Sequence, residues 1–229
     1  MTYAFRVSCP ADEGTMLMTT TPMTTSQWKT ALENEGVRVT YGAQWATAGR
    51  DSATGKTFGP VHGVAIHHTA GSDSLAVVRD GRSDLPGPLA HAHLAKSGTV
   101  TQLSVHRCNH FGTMAQNAYD AVVGETSPHP VPSADEPVDG NDVMYGLEIE
   151  NLGSGTDPYP EIQYDQAVRW AAAICRHHGW SGDSVIGHKE GTTRKVDPSF
   201  NMSLFRAAVA ERLKHPASWT KGQTTTTED

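Results

Sequence analysis

Val64-Ala65-Ile66-His67-His68-Thr69-Ala70 decides the fold class, because an apolar run there ends in two imidazoles. The run reads as a buried strand that delivers histidine at its tip. Side chains alternate along a strand, so His67 and His68 point to opposite faces and only one of them can serve a given site. A second apolar stretch, Tyr145-Gly146-Leu147-Glu148-Ile149-Glu150-Asn151, carries a carboxylate in its middle. A charge in such a strand costs free energy unless something pairs with it, so it asks for a reason. A third stretch, Gly187-His188-Lys189 leading to Arg194-Lys195-Val196-Asp197-Pro198, gathers a histidine, a lysine and an aspartate in one loop-like segment. Two imidazoles and one carboxylate from well-separated parts of a chain suit a zinc site whose fourth position is left to water.

The rest of the chain alternates strand and helix signals. Residues 1–23 are polar, rich in threonine and methionine, and poorly periodic, and are expected to be disordered. Thr24 and Gln27 form a capping-box pattern that opens a helix through Trp28 and Leu32, stopped by Gly36. A brief strand is expected over 37–40, a glycine-rich loop over 43–60, the strand over 64–69, and a helix over 72–79 behind an N-cap serine. Residues 90–95 and 99–105 read as hairpin strands about the Lys96-Ser97-Gly98 turn. The prolines between 125 and 141 require an irregular loop, and 143–150 is a buried strand. Residues 163–178 give a helix with Tyr164, Val168, Ala171, Ala172 and Cys175 on one face and Gly179 at its end. A short strand over 184–186 feeds the His188 segment. A last amphipathic helix over 201–214 is led by Leu204, Phe205, Val209 and Leu213, and 215–229 is a polar, linker-like tail. This alternation implies an α/β domain, a mixed central sheet with helices on both faces.

Composition narrows the function classes. The 229 residues carry a net charge of −7 and are 37% hydrophobic, enough for one domain with a real core. There is no basic footprint for nucleic acid or for an anionic membrane surface, and no apolar run of transmembrane length. The three cysteines, Cys9, Cys108 and Cys175, are odd in number and widely spaced, so a disulfide framework is not expected. The first 22 residues lack a basic segment followed by an apolar core, so no secretory signal is visible.

The three motifs in this order resemble the zinc-dependent N-acetylmuramoyl-L-alanine amidases of the amidase-2 and peptidoglycan-recognition superfamily, to which phage endolysins of the T7-lysozyme type belong. The likeness runs from about Gly59 to about Arg212 and makes 24–214 the expected catalytic domain. It implies a sheet of about five or six strands with a metal cleft on one side. It places Zn2+ on His67, His188 and Asp197, although several members carry cysteine where this chain has Asp197; a harder oxygen ligand still suits zinc. Glu148 takes the place of the family's proton carrier, with Glu150 its main rival, since period two sets both on the same face. Tyr145 and Tyr119 are minor candidates. Lys195, in register with Asp197 along an extended segment, corresponds to the lysine that stabilises the oxyanion. Asn109-His110-Phe111-Gly112 resembles an Asn-His-Ala-Gly segment of the substrate cleft, with phenylalanine for alanine, and His93 matches a strand histidine near that cleft. Asn109, His110 and His93 are thus the substrate-binding candidates.

The resemblance implies cleavage of the amide between N-acetylmuramic acid and L-alanine of the stem peptide by zinc-activated water. The expected partner is peptidoglycan (muramyl peptide), with no nucleic acid, no membrane insertion and a monomeric state. With no signal visible, a phage endolysin that stays in the host cytoplasm until it is released to the wall is the expected setting. A bacterial autolysin or recycling amidase shares the chemistry. A non-catalytic peptidoglycan-binding module shares the fold, but such modules lose a ligand, and every ligand position is filled here.

Overall fold

In the computed structural model, which describes residues 18–220 and 222, the run at Val64 is the second strand of a six-stranded sheet. The strands are β1 (Val39–Tyr41), β2 (Gly63–His68), β3 (Ala92–Leu94), β4 (Val100–Gln102), β5 (Met144–Ile149) and β6 (Val185–Gly187). They lie in the order β1-β4-β3-β5-β2-β6, and only the β3/β4 hairpin is antiparallel. Every residue of β2 is buried, which a strand flanked by parallel neighbours and covered on both faces requires.

Alternation divides the inner strands between two cores. Val64 and Ile66 of β2, Ala92 and Leu94 of β3, and Tyr145, Leu147 and Ile149 of β5 pack into the larger one. It is covered by the helix α4 (Glu161–His178), flanked by α1 (Thr25–Asn34) and α5 (Met202–Leu213). Ala65, Met144 and Ile186 face the other way and meet Phe111, Met114 and the helix α3 (Gln116–Val123).

Trp28 of α1 anchors the larger core, edge-on to Tyr145 at 5.2 Å and tilted against Trp170 at 5.7 Å between ring centroids. The capping box holds, with Thr24 and Gln27 each accepting the other's backbone N–H. Glu35, at the end of α1, is fully buried and paired with Arg212 of α5 and Arg176 of α4, so one carboxylate ties three helices together. Among the described residues no helix is long and apolar enough to cross a membrane.

Several expectations are corrected. The segment expected to be disordered as far as Met23 joins the fold from Thr19, whose N–H donates to His178 O at 3.0 Å. Met23 is buried and donates its N–H to Tyr145 Oη at 2.8 Å; the disorder expected for residues 1–17 lies outside the described residues. The loop over 43–60 contains a helical turn, Asp51–Thr54. The helix expected from Ser72, α2, spans Leu75–Asp80. The one-faced reading of α4 is too narrow: residues 166–175 are all buried, because the helix is enclosed by the sheet and two other helices. Its buried donors find partners, Gln163 donating to Glu150 O and Trp170 to Gln102 Oε1. In α5, Leu204 is 66% exposed, and Met202, Phe205 and Val209 form the buried side. The tail does not leave the fold at 215: Trp219 stacks on His215 at 4.3 Å beneath the Arg212 guanidinium. Its last stretch, 223–229, lies outside the described residues.

Candidate metal centre

Strand register assembles the site. His93 of β3 pairs with Glu148 of β5, and Glu148 pairs with His67 of β2. Gly187 of β6 lies opposite Ile66, so His188 follows beside His67. Directly opposed residues share a sheet face. A polar row, His93–Glu148–His67–His188, therefore crosses the carboxyl ends of four neighbouring strands, where open α/β sheets leave a crevice for ligands. His68 points to the opposite face, as alternation demands, and its Nδ1 lies 3.0 Å from Tyr159 Oη.

Asp197 reaches this row from the loop after β6. Lys189 fixes that loop: its N–H donates to Asp197 O at 2.8 Å, and its Nζ donates to Pro198 O at 2.6 Å and Phe200 O at 2.8 Å. His67, His188 and Asp197 are 1%, 3% and 8% exposed. Their facing atoms form a small triangle. His67 Nδ1 lies 2.9 Å from His188 Nδ1, and Asp197 Oδ2 lies 3.3 Å and 3.2 Å from those two nitrogens.

His110 Nε2 lies 3.0 Å from Met144 O, which can only accept, so the proton of a neutral His110 is on Nε2 and its Nδ1 is bare. His67 Nε2, 3.0 Å from that bare Nδ1, must donate. His188 Nε2, 3.0 Å from Phe111 O, must donate as well. Burial first, and His188 second, pull His67 down to about 4 against the opposing effect of Asp197, so its ring is neutral at pH 7. With each Nε2 donating, the neutral form of either ring turns a bare Nδ1 toward the Asp197 oxygen, with no proton left between them. Three such acceptors repel unless a cation joins them. The donor set suits zinc, whose tetrahedral ligands at about 2.0–2.1 Å stand about 3.3 Å apart. The residues fit the ion.

Glu148 lines the cleft beside this triangle together with Lys195, and the cleft encloses about 390 Å³. Its Oε2 is buried without a hydrogen-bond partner, so no arginine neutralises it as a structural strand carboxylate would require. Burial foremost, and Asp197 next, push its carboxyl well above the ordinary range, with Lys195 opposing. Lys195 is exposed at the rim. Glu150 stands apart from the triangle, its Oε2 3.7 Å from His93 Nε2.

The substrate-binding candidates are placed differently from one another. Asn109 lines the cleft, but its carboxamide donates to Pro86 O and accepts from Arg107. Both ring nitrogens of His110 are engaged within the protein. His93 Nε2 lies 3.0 Å from Ser74 Oγ, and its Nδ1 is unpartnered. Ser74 thus spends its hydroxyl on His93 and makes no side-chain cap on α2. Tyr145 faces the larger core, and Tyr119, on α3, packs on His62, so neither tyrosine joins the row. Three contributors went unread in the sequence: Ser74, the Phe111 carbonyl and Asn141. Nothing in the spacing of these residues marks them; each acts across a long loop.

The chain matches the family model described as N-acetylmuramoyl-L-alanine amidase over residues 57–200. Among solved structures it is similar to the endolysin N-acetylmuramoyl-L-alanine amidase LysCS of Clostridium intestinale URNW, with 14% identity over 74% of this chain and 93% of that one and a TM-score of 0.48. The N-acetylmuramyl-L-alanine amidase AmiD of E. coli, solved with anhydro-N-acetylmuramic acid-L-Ala-D-γ-Glu-L-Lys, shows 17% identity over 66% of this chain and 58% of that one, TM-score 0.48. The hydrolase AmiA of Staphylococcus aureus shows 12% identity over 86% and 95%, TM-score 0.48. No curated protein matches the chain.

Proposed function

The chain belongs to the N-acetylmuramoyl-L-alanine amidase family, and from that membership we propose that it cleaves the amide between the lactyl group of N-acetylmuramic acid and L-alanine of the stem peptide, with zinc held by His67, His188 and Asp197. The observation that carries this reading is the convergence of two imidazole nitrogens and a carboxylate oxygen beside Glu148, whose Oε2 is buried without a hydrogen-bond partner. When bound, zinc supplies Lewis acidity toward water and toward a carbonyl oxygen. Glu148 takes the proton of the attacking water and returns it to the leaving nitrogen, general base and then general acid. Its raised proton affinity suits the second half of that cycle. Lys195, at the rim of the same cleft, offsets the charge that develops on the carbonyl oxygen. His93, at the far end of the row, and Asn109, which lines the cleft, are the proposed substrate-side residues.

The biological setting we propose is a phage endolysin acting as a monomer on host peptidoglycan. The Asn109-His110-Phe111-Gly112 segment, similar to one common in amidase endolysins, supports it. Mass spectrometry of digested walls tests both levels. Peptides beginning with L-alanine, together with glycan carrying free lactyl carboxylates, are expected from intact walls. Cleavage of soluble muropeptides only would favour a recycling amidase, and wall binding without cleavage would favour a recognition module.

A further inference from the structure

Each histidine of the triangle has a second ring nitrogen, and both second nitrogens end on adjacent residues of one loop. His67 Nε2 meets His110 Nδ1, and His188 Nε2 meets the Phe111 carbonyl, each at 3.0 Å. The loop is itself pinned by a single atom. Asn141 Oδ1 accepts the backbone N–H groups of His110, Phe111 and Gly112 at 2.8, 2.8 and 3.2 Å, and Asn141 is buried. Met144 O holds the far nitrogen of His110.

The surrounding backbone is shaped to this loop. A Cβ on Gly146 would stand 2.5 Å from His110 Nδ1, and one on Gly140 would stand 2.7 Å from the Phe111 ring. A Cβ on Gly191 would stand 2.3 Å from Phe111 Cζ. Three separate segments thus give up side chains where the His110 and Phe111 rings lie.

We infer that residues 109–112, pinned by Asn141, are a positioning device that fixes the tautomer of both metal-ligand histidines, so that each presents Nδ1 to the metal. His110 is then a positioning residue rather than a substrate contact, since neither of its nitrogens is left over. The inference rests on the zinc reading for its purpose but not for its geometry. A bare imidazole nitrogen is an acceptor that never donates back, so His110 selects one tautomer of His67. A carbonyl does the same for His188. Partners of this kind orient a metal-bound imidazole and raise its basicity, and their loss weakens metal affinity roughly 10- to 100-fold.

Two readouts on the full chain test this. In the metal-free 15N-labelled protein at pH 7.5, long-range 1H–15N spectra are expected to show His67, His110 and His188 each protonated at Nε2. His110→Phe is expected to release His67 into a tautomer mixture while His188 keeps its form, and to weaken zinc binding roughly 10- to 100-fold in chelator competition. Asn141→Ala is expected to loosen both histidines. Asn141→Asp, which keeps an acceptor oxygen, is expected to restore both, with near-ultraviolet circular dichroism confirming the fold in each variant. A wild-type His67 or His188 protonated at Nδ1 in place of Nε2 overturns the inference. So does a folded His110→Phe that binds zinc within about twofold of wild type. A wild-type chain that binds no zinc refutes the metal reading instead, and the metal-free spectra still decide the tautomers.

Discussion

Glu148 stands mid-strand between His93 and His67, its Oε2 buried and unmatched. Such a group weakens the fold, and the proton-carrier role proposed for it beside His67, His188 and Asp197 supplies a reason for it. Glu148→Gln preserves volume and removes the proton carrier. Turnover on peptidoglycan is expected to fall by about 10²–10⁴, while zinc affinity and thermal stability hold or rise, because a buried carboxyl without a partner has been neutralised. Glu150→Gln is expected to stay within a few-fold of wild type, since Glu150 lies against His93 and outside the triangle. Steady-state kinetics of the two variants decides the assignment, and the reverse pattern would move the role to Glu150.

At the scale of elements, the site depends on how closely β5 and the 109–112 loop approach each other. Gly146 permits that approach, so Gly146→Ala forces the His110 ring or the strand to move. Overpacking of this kind destabilises by about 1–3 kcal/mol. A lower midpoint of urea unfolding, together with weaker zinc binding, is the expected result. Much of this was legible beforehand. The apolar runs that became β2 and β5, the capping box at Thr24 and the motifs holding His67, His188 and Asp197 are local signals. Which strands lie side by side is not local, so the row from His93 to His188 could be named but not ordered. The helix α3 went unread because its buried side is Ala118, Ala121 and Val122, mostly small residues that give a weak periodic signal. Leu204 was read as core because helical spacing finds a stripe without saying which neighbour covers it. Asn141 had no signature at all, since it acts on backbone groups about thirty residues away.

The molecule also buries neutral histidines outside the triangle itself. Burial pulls His91 down to about 3, and His93 and His178 to about 4. His91 also accepts the Gly146 N–H on Nδ1, a bond that needs the ring bare. In the unfolded chain each titrates near 6.5. The folded values are depressed, so stability is complete above pH 6.5 and is lost as pH falls toward the folded values. At pH 5.5 each group costs about 1 kcal/mol relative to pH 7.5. Urea unfolding of the chelator-treated protein is therefore expected to show a loss of at least about 3 kcal/mol between pH 7.5 and pH 5.5, since metal-free His67 adds to these three rings. Unchanged stability across that window would mean that these rings take up protons without unfolding.

Metal-dependent amide cleavage by this chain is tested by the release of new L-alanine amino termini from purified peptidoglycan. Release is expected to stop with chelator, to return with zinc, and to be absent in His188→Ala. Release that survives complete metal removal, or wall binding with no new amino termini, would contradict it.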